Sequence, residues 1–319
     1  MGGALPRSGS SPPAISRSPC STRPNVYQHD CLHPLNGCCR APTVEATGGC
    51  NRATTVSQYD GGSSQPHGLP TEESSESQTP KKLPETDLIF DNICEHDAQA
   101  KEVNIKRLSL DCKATVNIGD YARGGKTRGD NQANDHDLGC QEKYIPCGIV
   151  DQDSGALHIS FGSSYKTSDF IVDTIEQWWD TLALAQQQTI QQIQFKVDNG
   201  PESSGVRTQF LKRMVEFVDR IGKAIHLLYY PPYHSKYNPI ERCWGILEQH
   251  WNGAKLVNVA TMLAWAQSMT WKGLHPIVRL NHKLYQKGIS LSKAAMQAVE
   301  KRLERNPLLP KWDILIRPA

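Results

Sequence analysis

Three acidic residues stand where a carboxylate is either costly or well placed to meet a ligand. Asp111 sits inside an apolar, strand-like run, Leu108-Ser109-Leu110-Asp111-Cys112, where a charge is expensive unless it is paired or bound to a metal. Asp198 ends a second run, Phe195-Lys196-Val197-Asp198-Asn199-Gly200, so its side chain can emerge at the carboxyl edge of a sheet, where α/β proteins place ligands. Glu241 falls in the first turn of a helix that starts at Asn238-Pro239. An all-oxygen set of this kind suits hard cations, Mg2+ or Mn2+, rather than zinc. Two such ions about 3.5 to 4 Å apart activate an attacking oxygen and stabilise a leaving one in phosphoryl transfer, so the implied substrate is a phosphodiester.

Each residue also has an ordinary reading. Asp111 could pair with Lys113 or Arg107. Asp198 opens Asp-Asn-Gly-Pro, which is good turn chemistry. Glu241 lies three residues after Asn238 and could close a capping box with it. The metal reading draws its weight from three carboxylates occurring together at matching points of one order of elements.

That order can be read from periodicity. Strands are expected over residues 105–116, 147–151 and 156–162, with Asp153-Ser154-Gly155 as a hairpin turn, giving an antiparallel meander. A helix capped by Ser168 or Asp169 runs to about residue 187. Residues 193–197 form a strand, 204–221 a helix, 225–230 a strand halted by Pro231-Pro232, and a last helix begins at Asn238. Three strands, helix, strand, helix, strand, helix make an α/β domain with a mixed sheet. If the first and fourth strands are neighbours and the last helix packs across them, the three carboxylates converge. Residues 257–305 look helical with little strand pattern, and no internal repeat or heptad run appears.

The flanks of the acidic residues carry a resemblance. Leu110-Asp111-Cys112-Lys113, Val197-Asp198-Asn199-Gly200 and the stretch Pro231-Pro232-Tyr233-His234-Ser235-Lys236-Tyr237-Asn238-Pro239-Ile240-Glu241 resemble the three acidic blocks of Asp-Asp-Glu (DDE) insertion-sequence transposases. With Ile118-Gly119-Asp120-Tyr121 to Gly124-Gly125, Ile175-Glu176-Gln177-Trp178-Trp179 and Gln249-His250-Trp251-Asn252-Gly253, they resemble the ISAzo-type, or Rhodopirellula-type, family over residues 87 to 319. The resemblance implies a ribonuclease-H-like fold, hydrolytic cleavage of element ends, and attack of a 3′-hydroxyl on target DNA. Asp111, Asp198 and Glu241 would be catalytic metal ligands for two Mg2+ or Mn2+ ions. Double-stranded DNA, both the inverted repeats and the target, would be the partner of a homo-oligomer in the bacterial cytoplasm, associated with the nucleoid. Such families carry a helix-turn-helix region ahead of the catalytic domain, and residues 1–80 show no such pattern. A catalytically silent DNA-binding remnant is the alternative.

Other residues are candidates of a softer kind. Arg123, Lys126 and Arg128, interleaved with glycines, suit a phosphate-contacting loop or a solvated hairpin tip. His234 and Lys236 precede the catalytic helix, where they could touch DNA backbone or simply decorate a surface loop. Glu248 shares a helix face with Glu241 and could support the ligands from behind. Trp178, Trp179, Trp244 and Trp251 lie at helical spacing and read as core.

Composition sets the frame. Lys+Arg 35 against Asp+Glu 33 leaves a net charge of only +2, so a nucleic-acid partner cannot be argued from overall charge. No run of 18 apolar residues suggests a membrane span, and a soluble intracellular protein is the expectation. Residues 1–80 hold 31 Ser, Pro and Gly and neither Phe nor Trp, too little apolar surface to offset ordering. Three parts are therefore expected: a disordered low-complexity segment over 1–85, a ribonuclease-H-like catalytic domain over 86–255, and a helical C-terminal extension over 256–319. Cys31, His33, Cys38, Cys39 and Cys50 cluster without C-x-x-C spacing, which argues against a zinc site. Cys94, Cys112, Cys140, Cys147 and Cys243 are scattered singly and read as reduced thiols.

Overall fold

A mixed sheet with helices on both faces organises the chain. The structure, a computed structural model, describes residues 83–100, 104–121, 123–124, 133, 140 and 142–319. The low-complexity segment and its cysteine cluster therefore lie outside the described residues, as do Lys126 and Arg128.

The elements run α1 (Thr86–Ala100), β1 (Ile105–Cys112), β2 (Val116–Asn117), β3 (Lys143–Asp151), β4 (Leu157–Gly162), α2 (Ser168–Thr181), α3 (Leu184–Thr189), β5 (Gln192–Asp198), α4 (Thr208–Ile221), β6 (Ala224–Tyr230), a 3-10 turn over Ser235–Tyr237, α5 (Pro239–His250), α6 (Val259–Ser268), β7 (Ile277–Asn281), α7 (Lys293–Glu300), β8 (Leu303–Arg305) and β9 (Asp313–Ile316). The sheet order is β7-β4-β3-β1-β5-β6-β9-β8, with β2 paired to β3. β1, β3 and β4 form the expected antiparallel meander, and β5 and β6 continue from β1 in parallel. That succession is the ribonuclease-H-like arrangement, and it makes the first and fourth expected strands neighbours.

Local chemistry explains the boundaries. The β3–β4 hairpin closes because Asp151 accepts from the backbone of Asp153 and Gly155 takes φ 78°, a conformation glycine adopts cheaply. α2 is capped by Thr167, one residue before the expected caps, and breaks at Leu182, whose ψ of 137° is extended, so the expected single helix is α2 followed by α3. α4 ends on Gly222 in the left-handed conformation. α4 buries Phe210, Leu211, Met214, Phe217 and Val218, each contributing about 1.5–3 kcal/mol of hydrophobic burial. Arg213 fastens α4 to α2 by reaching Asp169 at 2.8 Å and Asp173 at 2.9 Å.

Two cores result. Leu108, Leu110, Phe195 and Val197 point toward α2 and α4, while Val150, Ile159 and Phe161 pack with α5 and α6. All four tryptophans read as core are buried. Beyond the expected helices, the C-terminal stretch contributes three strands. β7 extends the meander edge and β9 caps β6 on the other side. Their periodicity is masked because they are short and two of them are sheet edges with exposed positions. Cys112, Cys140, Cys147 and Cys243 are reduced, as expected, whereas Cys94, also expected to be reduced, is disulfide-bonded.

Candidate metal centre

Strand alternation decides which way the acidic residues point. Leu108 and Leu110 face the α2–α4 core, so Ser109 and Asp111 face α5. Asp198 ends β5 beside β1, on the parity of Lys196 and opposite Val197. Glu241 stands in the first turn of α5, where the positive helix end favours an anion. One oxygen from each of Asp111, Asp198 and Glu241 lies within 4.8 Å of the other two.

A lattice of hydrogen bonds sets this geometry. Asn238, fully buried ahead of α5, donates to Asp198 at 3.1 Å and to the Leu110 carbonyl at 3.3 Å. Its side-chain oxygen accepts from Ser109, whose hydroxyl oxygen accepts from the Ile240 N–H at 3.0 Å. The capping box anticipated between Asn238 and Glu241 is not formed. The Asn238 N–H bonds the Ser235 carbonyl at 2.7 Å, and Asn238 makes no side-chain cap bond. A strand residue, Ser109, supplies the helix with its cap instead, which frees Glu241 to face the cluster.

Trp244 adds a third tie. Its indole N–H donates to Asp111 at 3.3 Å. Asp111 pairs across the strands with Gly148, and a Cβ on Gly148 would lie 2.6 Å from the Trp244 ring. Glycine is needed there so that the indole can lie against β3 and reach the carboxylate.

The electrostatics are those of anions held together. Burial, then Asp198 and Glu241, push Asp111 up to about 7. Burial also raises Asp198, against the Asn238 hydrogen bond and Lys166. Glu241 is raised by burial and by Asp198, with Lys113 and a hydrogen bond from Ser235 working the other way. A divalent ion would relieve all three, so the donor set fits a hard cation. Cys112, next to Asp111, is pushed well above its ordinary value by its hydrogen bond with Cys147 and by burial, and stays a thiol.

Lys166 is a functional candidate that the sequence did not single out. It lines one pocket together with Asp111, Cys112 and Asp198, and its side chain is 37% exposed. Nothing local distinguishes it from other loop lysines; only the fold carries it to the carboxylates. Glu248 does not join the cluster. It takes Lys113 at 2.8 Å, Arg123 at 3.3 Å and the Trp251 indole at 2.8 Å, and Lys113 in turn acts on Glu241. Arg123 packs over Trp251 at 4.6 Å with its side chain only 12% exposed, so its charge is engaged within the protein. His234 donates to the Pro232 carbonyl at 2.8 Å and stacks on Tyr237, while exposed Lys236 lies over the same ring at 5.3 Å.

Among solved structures, the Mos1 transposase paired-end complex with left transposon end is similar at 10% identity and a TM-score of 0.43, over 61% of this chain and 57% of that one. The Mos1 mariner paired end complex with Mn gives 11% and 0.40, over 62% and 58%. The HTLV-2 integrase catalytic core domain in complex with magnesium gives 16% and 0.29, over 53% and 92%. The chain thus spans less than two thirds of the length of the Mos1 chains it matches. A comparison with curated proteins finds no match. The family described as Rhodopirellula transposase DDE domain matches residues 65–318, and with most of its length covered the chain belongs to that family.

Proposed function

We propose that this protein is a DNA transposase that cleaves element ends and joins them to target DNA, with Asp111, Asp198 and Glu241 as its catalytic metal ligands. The observation that carries the reading is the convergence of three carboxylate oxygens, all raised in pKa by burial, within 4.8 Å. Two Mg2+ or Mn2+ ions bound there would activate the attacking oxygen and stabilise the leaving oxygen of a phosphodiester.

The protein's own residues prepare that chemistry. Asn238 and Trp244 fix the orientation of Asp198 and Asp111 through N–H donors, so neither carboxylate must reorganise when substrate arrives. Lys166 offers a positive charge at the same pocket, suited to a phosphate oxygen. Ser109 is committed to the α5 cap and Cys112 is held as a thiol, so the attacking group is water or a 3′-hydroxyl rather than a side chain. Double-stranded DNA is the proposed partner and a homo-oligomer the proposed working form. Lys236, exposed on the turn before α5, is the better placed of the candidate backbone contacts, whereas Arg123 is engaged internally. Among the described residues no helix is long and apolar enough to cross a membrane, compatible with a cytoplasmic site of action beside the nucleoid.

The test is strand cleavage and joining of inverted-repeat DNA from the flanks of the gene, in Mg2+ or Mn2+, comparing the parent with Glu241→Gln. Glutamine keeps the side chain's length and can still accept from Ser235, but loses the anionic ligand. Activity in the parent that disappears in a folded Glu241→Gln protein supports the proposal. Equal activity in both removes Glu241 as a ligand, and inactivity in both favours a silent remnant.

A further inference from the structure

A second constellation of metal-binding side chains lies away from the acidic cluster. His96 on α1, His226 on β6 and Asp313 at the start of β9 each offer a ligand atom within 4.8 Å of the others. His226 stands four residues before Tyr230, the residue paired with Asp198. The two clusters are thus offset by about 13 Å along the strand direction.

Without an ion His226 and Asp313 are hydrogen-bonded, and His96 brings a third donor atom close enough for all three to converge on one ion. His226 Nε2 lies 2.5 Å from one oxygen of Asp313, but His96 Nε2 is 3.4 Å from the other. The second separation is long for a hydrogen bond. It matches the edge of a tetrahedral site, about 3.3–3.4 Å for bonds of about 2.0–2.1 Å. Seating an ion requires the hydrogen-bonded pair, His226 and Asp313, to part by about 1 Å and exchange that bond for the metal. The two imidazoles meet edge to face at 4.4 Å, and the Nε2 of each faces Asp313. Asn306 donates to Asp313 at 2.9 Å and so fixes the carboxylate, the kind of support that metal-ligating carboxylates receive. His226 and Asp313 are buried, while His96 is a quarter exposed. The exposed side gives an ion a route in and leaves a fourth position for water.

We propose that His96, His226 and Asp313 form a second metal site, for Zn2+ or a similar divalent transition ion, that clamps α1 and β9 to β6. Two imidazoles and one carboxylate are borderline ligands suited to Zn2+, in contrast to the all-oxygen set at Asp111. Because the three ligands come from three elements far apart in sequence, an ion held there would tie α1 and β9 to β6 and add to stability.

The experiment uses the full chain carrying Asp111→Asn, Asp198→Asn and Glu241→Gln, so that the acidic cluster cannot contribute. Zn2+ is titrated by equilibrium dialysis, and Co2+ serves as the spectroscopic probe. The expected result is one equivalent of Zn2+ per chain, a visible Co2+ spectrum without a near-ultraviolet thiolate band, and a higher Tm with Zn2+. His96→Asn, at a partly exposed position, should keep the circular dichroism of the parent and lose at least tenfold in affinity. No bound equivalent, a thiolate band, or undiminished affinity in His96→Asn overturns the proposal; the three residues are then a hydrogen-bonded network only. Because the acidic cluster is absent throughout, this outcome is independent of whether the protein transposes DNA.

Discussion

Asn238 donates to Asp198 at 3.1 Å while also accepting from Ser109, so one buried amide ties the start of α5 to β1 and β5 at once. The position of Glu241 relative to both aspartates depends on this tie, since Glu241 follows Asn238 within one helical turn.

Asn238→Ala should therefore cost about 2–4 kcal/mol, because it leaves Ser109 and the Leu110 carbonyl without a buried partner. Asn238→Asp should restore the acceptor but add a fourth carboxylate beside Asp198, and it should weaken folding further at pH 8 than at pH 5. Urea denaturation at the two pH values measures both. An alanine variant as stable as the parent would show that the tie carries no weight.

Gly148→Ala places a methyl group 2.6 Å from the Trp244 ring. The indole must move, taking its N–H away from Asp111. We expect a stability loss of about 1–3 kcal/mol, with a shift in tryptophan fluorescence. The Trp244→Phe protein, which keeps the glycine and loses only the donor, should lose less stability. Unchanged fluorescence in Gly148→Ala would contradict the packing described.

Without metal, Asp111 has its pKa pushed up to about 7 from an ordinary 3.8. The unfolded chain thus gives up this proton at lower pH than the folded protein. Between about pH 4 and 7 the folded state holds more protons, so stability falls as pH rises, by at most about 4 kcal/mol from this group. Asp111→Asn should therefore stabilise the metal-free protein at pH 8 and have little effect near pH 4. Mg2+ or Mn2+ should raise the Tm of the parent more at pH 8 than at pH 5.5, and much of that gain should vanish in Asp111→Asn. If the asparagine variant melts below the parent at pH 8 without metal, Asp111 is not the strained anion described.

Glu248 and Lys113, 2.8 Å apart, should show measurable coupling in a double-mutant cycle with Glu248→Ala and Lys113→Ala. About 0.5–1 kcal/mol is expected for a partly exposed pair. Additive single effects would mean that Glu248 serves only Arg123 and Trp251.

The sequence by itself determined the order of the main elements from β1 to α5 and singled out the three acidic candidates. Both are local properties: alternation and helical spacing reveal strands and helices, and an aspartate inside Leu108 to Cys112 is conspicuous because charge is costly there. Only the tertiary structure decided how those residues meet. Parallel pairing of β1 with β5, whose partners lie 87 positions apart, is a long-range choice made by burial on both faces of the sheet. Asn238, read locally as a helix cap, spends its side chain on β1 and β5 because a strand hydroxyl at Ser109 reaches the helix end first. Lys166 had no local signature, and β7, β8 and β9 were too short and too near the sheet edge for their alternation to register. His96, His226 and Asp313 belong to the same class: three unremarkable residues, 217 positions from first to last, made neighbours only by the packing of α1 and β9 against β6.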